Sequence, residues 1–243
     1  MAEAKGTPKI FVATPMYGGM CAAVYVQSLL DLVFAFVEKG VQWQLATIAN
    51  ESLIPRARNA FASAFLSTDC SHLLFIDADI GFAPAAVFDM LAADRDIVCC
   101  LAPRKVLDWE RIREAAINGA SGLELARAGA SCVYLGEQPR TLREIRFGGT
   151  GLMLIKRAVL ETLKEIVPAY ANDCLQQADQ SALWAPMEGR ADDPLWDFFP
   201  AGVLDGQYLS EDYGFCEIAR RQGFKVFALP ARLVHVGTHI FYG

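Results

Sequence analysis

The chain has 243 residues, a net charge of −6 and a hydrophobic content of 53%. This length suffices for one large domain with a substantial core, and the acidic balance argues against broad nucleic-acid binding, which usually needs a basic surface. No apolar run reaches the about 18–20 uncharged residues that a membrane-spanning helix requires, and the polar N-terminal segment lacks the apolar centre of a secretory signal, so we expect a cytoplasmic protein.

Strand-like and helix-like segments alternate through the first part of the chain. The predicted strands are 9–14, 41–48, 72–76 and 97–101, and the helices between them begin near Tyr25, Pro55 and Pro84. This α/β alternation predicts a mostly parallel central sheet with helices on both faces. Ligands of such sheets bind beyond the carboxyl ends of the strands, so we expect the functional site there.

The second part of the chain is less regular. Helices are predicted at 108–129, 159–166 and 210–222, and strands at 132–135, 151–155 and 225–229. Between them, 168–206 is predicted to be a long irregular segment, and loops of that length are usually functional or mobile. Its aromatic residues would either stack on a ligand or anchor the segment to the core; they are Trp184, Trp196, Phe198 and Phe199.

The strongest functional signal is the motif Asp77-Ala78-Asp79, which directly follows the apolar strand 73–76. Alternation along an extended chain would place Asp77 and Asp79 on the same side. Two adjacent carboxylates are costly unless a cation neutralises them, and oxygen ligands favour Mg²⁺ or Mn²⁺. The motif therefore predicts a divalent-cation site, with an acidic loop after a core strand as the alternative.

Two further signals lie far downstream. Glu211 and Asp212 begin a predicted helix after Ser210, where the helix dipole stabilises acids, and either carboxylate could act as a general base for an acceptor hydroxyl. His235 follows the last predicted strand and is a candidate third metal ligand beside Asp77 and Asp79, or else a hydrogen-bonded core residue. His239 could share that role.

A basic and polar group opens the second predicted helix, at Arg56, Arg58 and Asn59. Arginines and helix N-termini suit the recognition of phosphate or nucleotide groups. A solvated helical face is the alternative for Arg58, and to a lesser degree for Arg56.

The end of the first predicted strand supplies another candidate binding element, Thr14 and Pro15 followed by Tyr17, whose ring could stack on a base. Gly149, within the glycine-rich entry 148–151 to a later strand, would allow tight passage beside a ligand. The sequence has no GxGxxG or Walker motif after the first strand, which disfavours Rossmann dinucleotide and P-loop sites.

Taken in this order, the motifs resemble those of GT-A glycosyltransferases, most closely the family-two-like group. The resemblance covers residues 9–237 and joins Thr14-Pro15, the Asp77–Asp79 motif, the glycine-rich strand entry, Glu211-Asp212 and the late His235. The stretch 56–59 before 75–80 is also similar to the Anp1/Mnn9-type mannosyltransferases. The resemblance implies a nucleotide-diphospho-sugar transferase fold over 1–243, with a donor-binding half at about 1–105 and an acceptor and catalytic half at about 106–243.

The same resemblance implies roles for individual residues. Asp79 would contact Mn²⁺ or Mg²⁺, Asp77 would contact the donor's ribose or the metal, and His235 would be the third ligand. Asp212 resembles the base of inverting enzymes, or would steady the sugar or the acceptor if the outcome is retention. The donor would be a UDP- or GDP-sugar and the acceptor a hydroxyl group of a glycan, a lipid-linked molecule or a small molecule, with 168–206 as an acceptor-side lid.

The chain also departs from the family pattern. Asn50-Glu51-Ser52 stands where many family-two members carry an Asp-x-Ser-x-Asp pattern, and the QxxRW motif of processive synthases is missing. The hydrophobic excess is compatible with a homodimer or with peripheral association with a membrane.

Three rival interpretations remain open. A haloacid-dehalogenase-like phosphatase normally carries its Asp-x-Asp motif on the first strand, whereas two α/β units precede the motif here. A sugar-phosphate nucleotidyltransferase would share much of the fold but would need a glycine-rich, arginine-containing loop after the first strand. A catalytically inactive binding protein with the GT-A fold would be separated only by an activity assay.

Overall fold

The computed structural model describes residues 7–49, 51–132, 139–171, 183–184 and 194–237. Its strands are β1 Lys9–Met16, β2 Gln42–Ala49, β3 His72–Ile76, β4 Ile80–Gly81, β5 Ile97–Cys100, β6 Arg143–Ile145, β7 Leu152–Lys156, β8 Ala169–Tyr170, β9 Leu183–Trp184, β10 Leu195–Trp196, β11 Gly202–Leu204, β12 Gln207–Leu209, β13 Val226–Leu229 and β14 Val234–His235. The helices are α1 Ala23–Glu38, α2 Ile54–Leu66, α3 Pro84–Ala93, α4 Trp109–Ile117, α5 Leu123–Ala128, α6 Arg157–Lys164 and α7 Glu211–Arg221.

The central sheet has the strand order β6-β13-β5-β7-β3-β1-β2-β9 within the described residues. β1 pairs in parallel with both β2 and β3, and β5 pairs in parallel with β13. β7 runs antiparallel between β3 and β5, while β6 and β9 run antiparallel at the two edges. β1, β2, β3, β5 and β13 therefore point the same way, and the prediction of a mostly parallel sheet is confirmed.

Helices cover both faces of this sheet, as predicted. Alternation along β3 sends Leu73 and Phe75 to one face and Leu74 and Ile76 to the other, and all four are fully buried. Residues of α2, α6 and α7 complete the first layer, and residues of α1 and α3 complete the second. Because both faces are covered, the central strands are apolar throughout.

The segment predicted to be irregular, 168–206, contains short strands in the part that the structure describes. β8 pairs with β10, and β11 pairs with β12 through a tight turn. Phe198 and Phe199 are fully buried, and the Phe199 ring lies 5.4 Å from the ring of Phe75 and 4.6 Å from that of Phe215. These two aromatic residues anchor the segment to the core, so they cannot form the outer surface of a lid; only the backbone of Trp184 is described.

The helix predicted at 108–129 is two helices. α4 begins after Asp108, whose carboxylate accepts a hydrogen bond of 3.1 Å from the Arg111 amide, and the chain then turns at Gly119 with φ of +89°. Glycine adopts this left-handed conformation without a steric cost, which separates α4 from α5. The strand predicted at 132–135 lies largely outside the described residues, with only Cys132 seen to bridge Pro103.

None of the helices in the described part of the chain combines the length and the apolar character needed to cross a membrane.

Candidate active site

The candidate site lies at the edge of the sheet where β1, β3 and β5 end and where the antiparallel β7 begins. It is a cleft of about 610 Å³. Residues from both halves of the chain line it: Pro15, Tyr17, Met20, Cys21, Ala22, Glu51, Ser52, Ile54, Arg58, Asp77, Ala78, Asp79, Leu101, Ala102, Lys105, Gly149, Thr150, Gly151, Glu211, Asp212 and His235. This is the edge at which α/β sheets bind their ligands.

The motif Asp77-Ala78-Asp79 forms a tight turn between β3 and β4. The turn is closed by a hydrogen bond of 3.1 Å from the Ile80 amide to the Asp77 carbonyl, and the Asp77 amide donates to the Gly151 carbonyl at 3.0 Å. The expectation of an extended chain through the motif is therefore wrong. Both carboxylates line the cleft, but each has its own basic partner.

Asp79 is held between two basic side chains. The ammonium group of Lys105 contacts its Oδ2, and Nε2 of His235 lies 3.4 Å from its Oδ1. Burial disfavours the ionised form of Asp79, but the hydrogen bonds from His235 and Lys105 outweigh it and lower the pKa of Asp79 to about 2. Asp79 is therefore a permanently charged acceptor in the physiological pH range.

His235 is fixed by its other ring nitrogen. Nδ1 lies 2.7 Å from the carbonyl oxygen of Pro103, which can only accept, so Nδ1 carries the proton and donates it. This bond fixes the orientation of the ring and directs Nε2 at Asp79. When protonated, Nε2 donates to Oδ1 of Asp79, and after losing that proton it is available to a metal ion. The hydrogen bond with Asp79 raises the pKa of His235, although burial opposes this shift. His239 lies outside the described residues.

Asp79 and His235 fit a site for Mg²⁺ or Mn²⁺, because a carboxylate oxygen and an imidazole nitrogen 3.4 Å apart can share one ion. Arg58 contacts Oδ1 of Asp77, and the role of Asp77 as a further metal ligand stays a prediction. Across the described ranges, no three His, Cys, Asp or Glu side chains are grouped so as to hold a metal. A site with two protein ligands would take the rest from water and from phosphate oxygens of a bound nucleotide, as Mg²⁺ sites usually do.

Arg58 is a buried cation at the wall of the cleft, with 2% of its side chain exposed. Its Nη2 donates to Oδ1 of Asp77 at 2.5 Å, and its guanidinium carbon lies 4.9 Å from the centre of the Phe75 ring. Nε and Nη1 find no hydrogen-bond partner among the described residues. Both nitrogens are fully buried, and buried N–H groups without an acceptor are costly. Because Arg58 lines the cleft, its guanidinium is a candidate partner for a ligand there.

Glu211 and Asp212 lie at the N-terminus of α7. Oδ1 of Asp212 accepts hydrogen bonds from the Ser210 hydroxyl and from the Tyr213 amide, the latter at 2.9 Å. Oδ2 faces Gly149, where an added Cβ would lie 3.6 Å away. Burial raises the pKa of Asp212, and burial together with the nearby charge of Asp212 raises the pKa of Glu211. Ser210 begins the helix as predicted, but its hydroxyl binds Asp212 rather than a backbone amide.

Of the predicted donor-binding residues, Pro15, Tyr17, Ala78 and Gly149 line the cleft. Tyr17 is 71% exposed, which leaves its ring free to stack on a planar ligand. Thr14 is fully buried and accepts a hydrogen bond of 2.9 Å from the Tyr25 hydroxyl. The donor-binding role predicted for Thr14 does not fit this placement, because β1 continues past it to Met16.

Arg56 and Asn59 are not among the residues that line the cleft, although Arg56 is bound to Glu51, which lines it. Arg56 donates through Nε and Nη2 to both oxygens of Glu51, at 2.6 and 2.8 Å. Asn59 donates to Asp197 at 2.9 Å and accepts from the Phe199 amide at 2.9 Å. In the described residues both side chains are bound by other side chains or by the backbone, and Arg58 is the residue of this group that lines the cleft. The donor contacts expected of Arg56 and Asn59 stay predictions.

Sequence reasoning missed Lys105 and Thr150. Lys105 comes five residues after the last residue of β5, at the same edge of the sheet as Asp79. A search for basic residues after every predicted strand end would have found it. Thr150 is 3% exposed and belongs to the glycine-rich entry to β7, of which only Gly149 was singled out.

No protein-family model and no curated protein matches the chain. Solved structures similar to it include the protein A197 from STIV, with a TM-score of 0.47 and 16% identity over 97% of both chains. They include an inositol-1-phosphate CTP transferase from T. maritima, with a TM-score of 0.42 and 10% identity over 95% of this chain and 89% of that one. A glycosyltransferase involved in glycosylation of the major capsid of PBCV-1 has a TM-score of 0.34 and 9% identity over 71% and 69%. These values are too low to carry an argument about this chain.

Proposed function

We propose that the chain is a GT-A-type glycosyltransferase that moves a sugar from a nucleoside-diphosphate sugar to a hydroxyl acceptor. The observation that carries this proposal is that carboxylates within one cleft have pKa values shifted in opposite directions. The pKa of Asp79 is lowered to about 2 by its basic partners, whereas burial raises the pKa of Glu211 and of Asp212. Acids whose environments separate their pKa values in this way are suited to different tasks in one reaction.

The donor's diphosphate would lie beside Asp79 and His235, the two residues that would hold Mn²⁺ or Mg²⁺. When bound, the cation supplies positive charge to the leaving diphosphate. Tyr17 would stack on the base, and the guanidinium of Arg58, which lines the cleft, would donate to the donor.

Asp212 would act as the base. Its Oδ1 is occupied by the Ser210 hydroxyl and the Tyr213 amide, so Oδ2 is the oxygen that can accept a proton from the acceptor hydroxyl. The acceptor oxygen then bonds to the anomeric carbon while the bond from that carbon to the phosphate oxygen breaks. Attack from the side opposite the leaving group inverts the anomeric configuration.

Several finer features stay predictions of the sequence. These are the choice between UDP- and GDP-sugars, the class of acceptor, the closer similarity to Anp1/Mnn9-type enzymes, the homodimer and the peripheral membrane association.

The test is a donor-turnover assay with a panel of UDP- and GDP-sugars and simple hydroxyl acceptors in the presence of Mn²⁺. We expect one donor to release its nucleoside diphosphate, and we expect Asp212→Asn to reduce the rate by at least about 100-fold, as loss of a general base does. Asp205→Asn is the matched control, since Asp205 is exposed and pairs only with Arg221 among the described residues. An equal rate in wild type and Asp212→Asn would remove Asp212 from the mechanism.

The same assay separates the rivals. A haloacid-dehalogenase-like phosphatase would instead release inorganic phosphate from a phosphomonoester, using the first aspartate of the motif as nucleophile. In this protein Oδ1 of Asp77 is bound by Arg58 at 2.5 Å, which disfavours its use as a nucleophile. An inactive GT-A binding protein would bind the nucleotide and release nothing.

A further inference from the structure

Lys105 is the one ammonium group that lines the cleft within the described residues, and its place there is well defined. It contacts Oδ2 of Asp79, the carboxylate proposed to hold the divalent cation. Its aliphatic stem lies flat on Gly237, where an added Cβ would come within 3.1 Å of both Cγ and Cδ of the lysine. A side chain at position 237 would therefore push the stem of Lys105 aside by a few tenths of an ångström.

The segment that carries Lys105 is tied to the segment that carries His235. The Pro103 carbonyl binds Nδ1 of His235 at 2.7 Å, and the Val236 amide donates to the Asp79 carbonyl at 2.9 Å. The Arg104 amide donates to the Ser131 carbonyl at 2.7 Å. Lys105, Asp79 and His235 thus form one connected unit at the rim of the cleft, and 41% of the Lys105 side chain is exposed.

This arrangement has two chemical consequences. An ammonium group and a divalent cation repel each other, so they compete for the carboxylate of Asp79. An ammonium group released from Asp79 would remain beside the place where a diphosphate meets the cation, and lysine is a common phosphate ligand.

We propose that Lys105 is a further donor-binding residue that neutralises Asp79 in the metal-free protein, competes with a divalent cation for that carboxylate and contacts the diphosphate of the bound nucleotide. The diphosphate contact rests on the proposed function, whereas the competition for Asp79 does not.

The experiment measures two affinities of Lys105→Met by calorimetry. The affinity for Mn²⁺ alone should rise about tenfold because Asp79 is freed, and the affinity for UDP or GDP at saturating Mn²⁺ should fall about tenfold because a phosphate contact is lost. Lys105→Arg keeps the charge and should recover most of the nucleotide affinity. Lys225→Met is the control, because Lys225 pairs with Glu144 on the surface, and it should change neither value.

The outcomes separate the two proposals. An Mn²⁺ affinity that is unchanged or weaker in Lys105→Met overturns the competition for Asp79. A tighter Mn²⁺ site with unchanged nucleotide affinity overturns the phosphate contact. If the wild type binds no nucleotide with any metal, the proposed function and the phosphate contact both fail, while the Mn²⁺ titration still decides the competition.

Discussion

At the scale of residues, the carboxylates in the cleft differ in pKa because their hydrogen-bond and charge partners differ. Asp79 has basic neighbours and stays ionised, whereas Asp212 is half-buried and its hydrogen bonds only partly offset the loss of water. An ionised carboxylate in this position is unfavourable for the fold at neutral pH and useful to a reaction that needs a proton acceptor. Functional sites commonly trade stability in this way.

We therefore predict that Asp212→Asn stabilises the protein. Because the folded-state pKa of Asp212 is raised, its favourable contribution is present below the unfolded pKa and is lost as pH rises through the folded value. At pH 7 the substitution should therefore raise the melting temperature. Asn keeps the oxygen that accepts from the Tyr213 amide.

Thermal denaturation at several pH values measures this effect. The gain should shrink as pH falls towards the ordinary pKa of aspartate, and Asp205→Asn should show no gain, because exposed ion pairs contribute little. A lower melting temperature for Asp212→Asn at pH 7 would mean that the charged carboxylate stabilises the fold.

At the scale of elements, α7 carries Glu211 and Asp212, and its position depends on a close approach at Gly214. A Cβ added there would lie 2.0 Å from the Pro200 carbonyl oxygen, which no side chain can tolerate without movement of the helix. Glycine at position 214 thus allows the start of α7 to pack closely against the anchored segment around Phe198 and Phe199.

We predict that Gly214→Ala destabilises the protein by about 1–3 kcal/mol, as overpacking does, and lowers transfer activity because Asp212 moves. In an unobstructed helix the same change would add about 1 kcal/mol of stability. The sign of the change in unfolding free energy therefore shows whether the close approach at Gly214 exists. Urea denaturation measures this change, with Gln222→Ala, an exposed residue directly after α7, as the control. A more stable Gly214→Ala variant would contradict the close approach.

The elements with strong local signals were predictable from the sequence. β3 was placed at 72–76 and α3 was begun at Pro84, as observed, because an apolar run and a proline at a helix start are local features. The hairpin of β11 and β12 and the pairing of β14 with β4 were missed. These strands have two or three residues, and β14 and β4 meet only through long-range pairing.

The candidate site was predictable in part for the same reason. The motif after β3, Asp212 and His235 were found because strand ends and helix starts are visible in sequence. The sequence did not show that Arg58 rather than Arg56 lines the cleft. Helical spacing tells which residues share a face of α2, but it does not tell which face meets the cleft. Lys105 was missed because its contact with Asp79 depends on how the segments after β3 and β5 fold.

At the scale of the whole molecule, the two halves of the chain share one sheet. β7, from the second half, lies between β3 and β5 of the first, and β13 extends the sheet beyond β5. The cleft likewise combines Asp79 and Arg58 with Asp212 and His235. Neither half at about 1–105 or 106–243 contains a complete core, which is the physical basis for the prediction of a single domain.

Unfolding should therefore be cooperative. We predict that far-ultraviolet circular dichroism and tryptophan fluorescence report one coincident transition in urea. Two separated transitions would show that the halves unfold independently, contrary to the interleaved sheet.

The central claim is that this cleft binds a nucleoside diphosphate through Asp79. Calorimetric titration of UDP and of GDP, with and without Mn²⁺, tests it most directly in wild type, Asp79→Ala and the control Asp69→Ala, a surface acid that pairs with Lys9. We predict that one nucleotide binds, that binding needs Mn²⁺, and that it is lost in Asp79→Ala but kept in Asp69→Ala. No binding under any metal condition, or equal binding in Asp79→Ala, would contradict the proposed donor site.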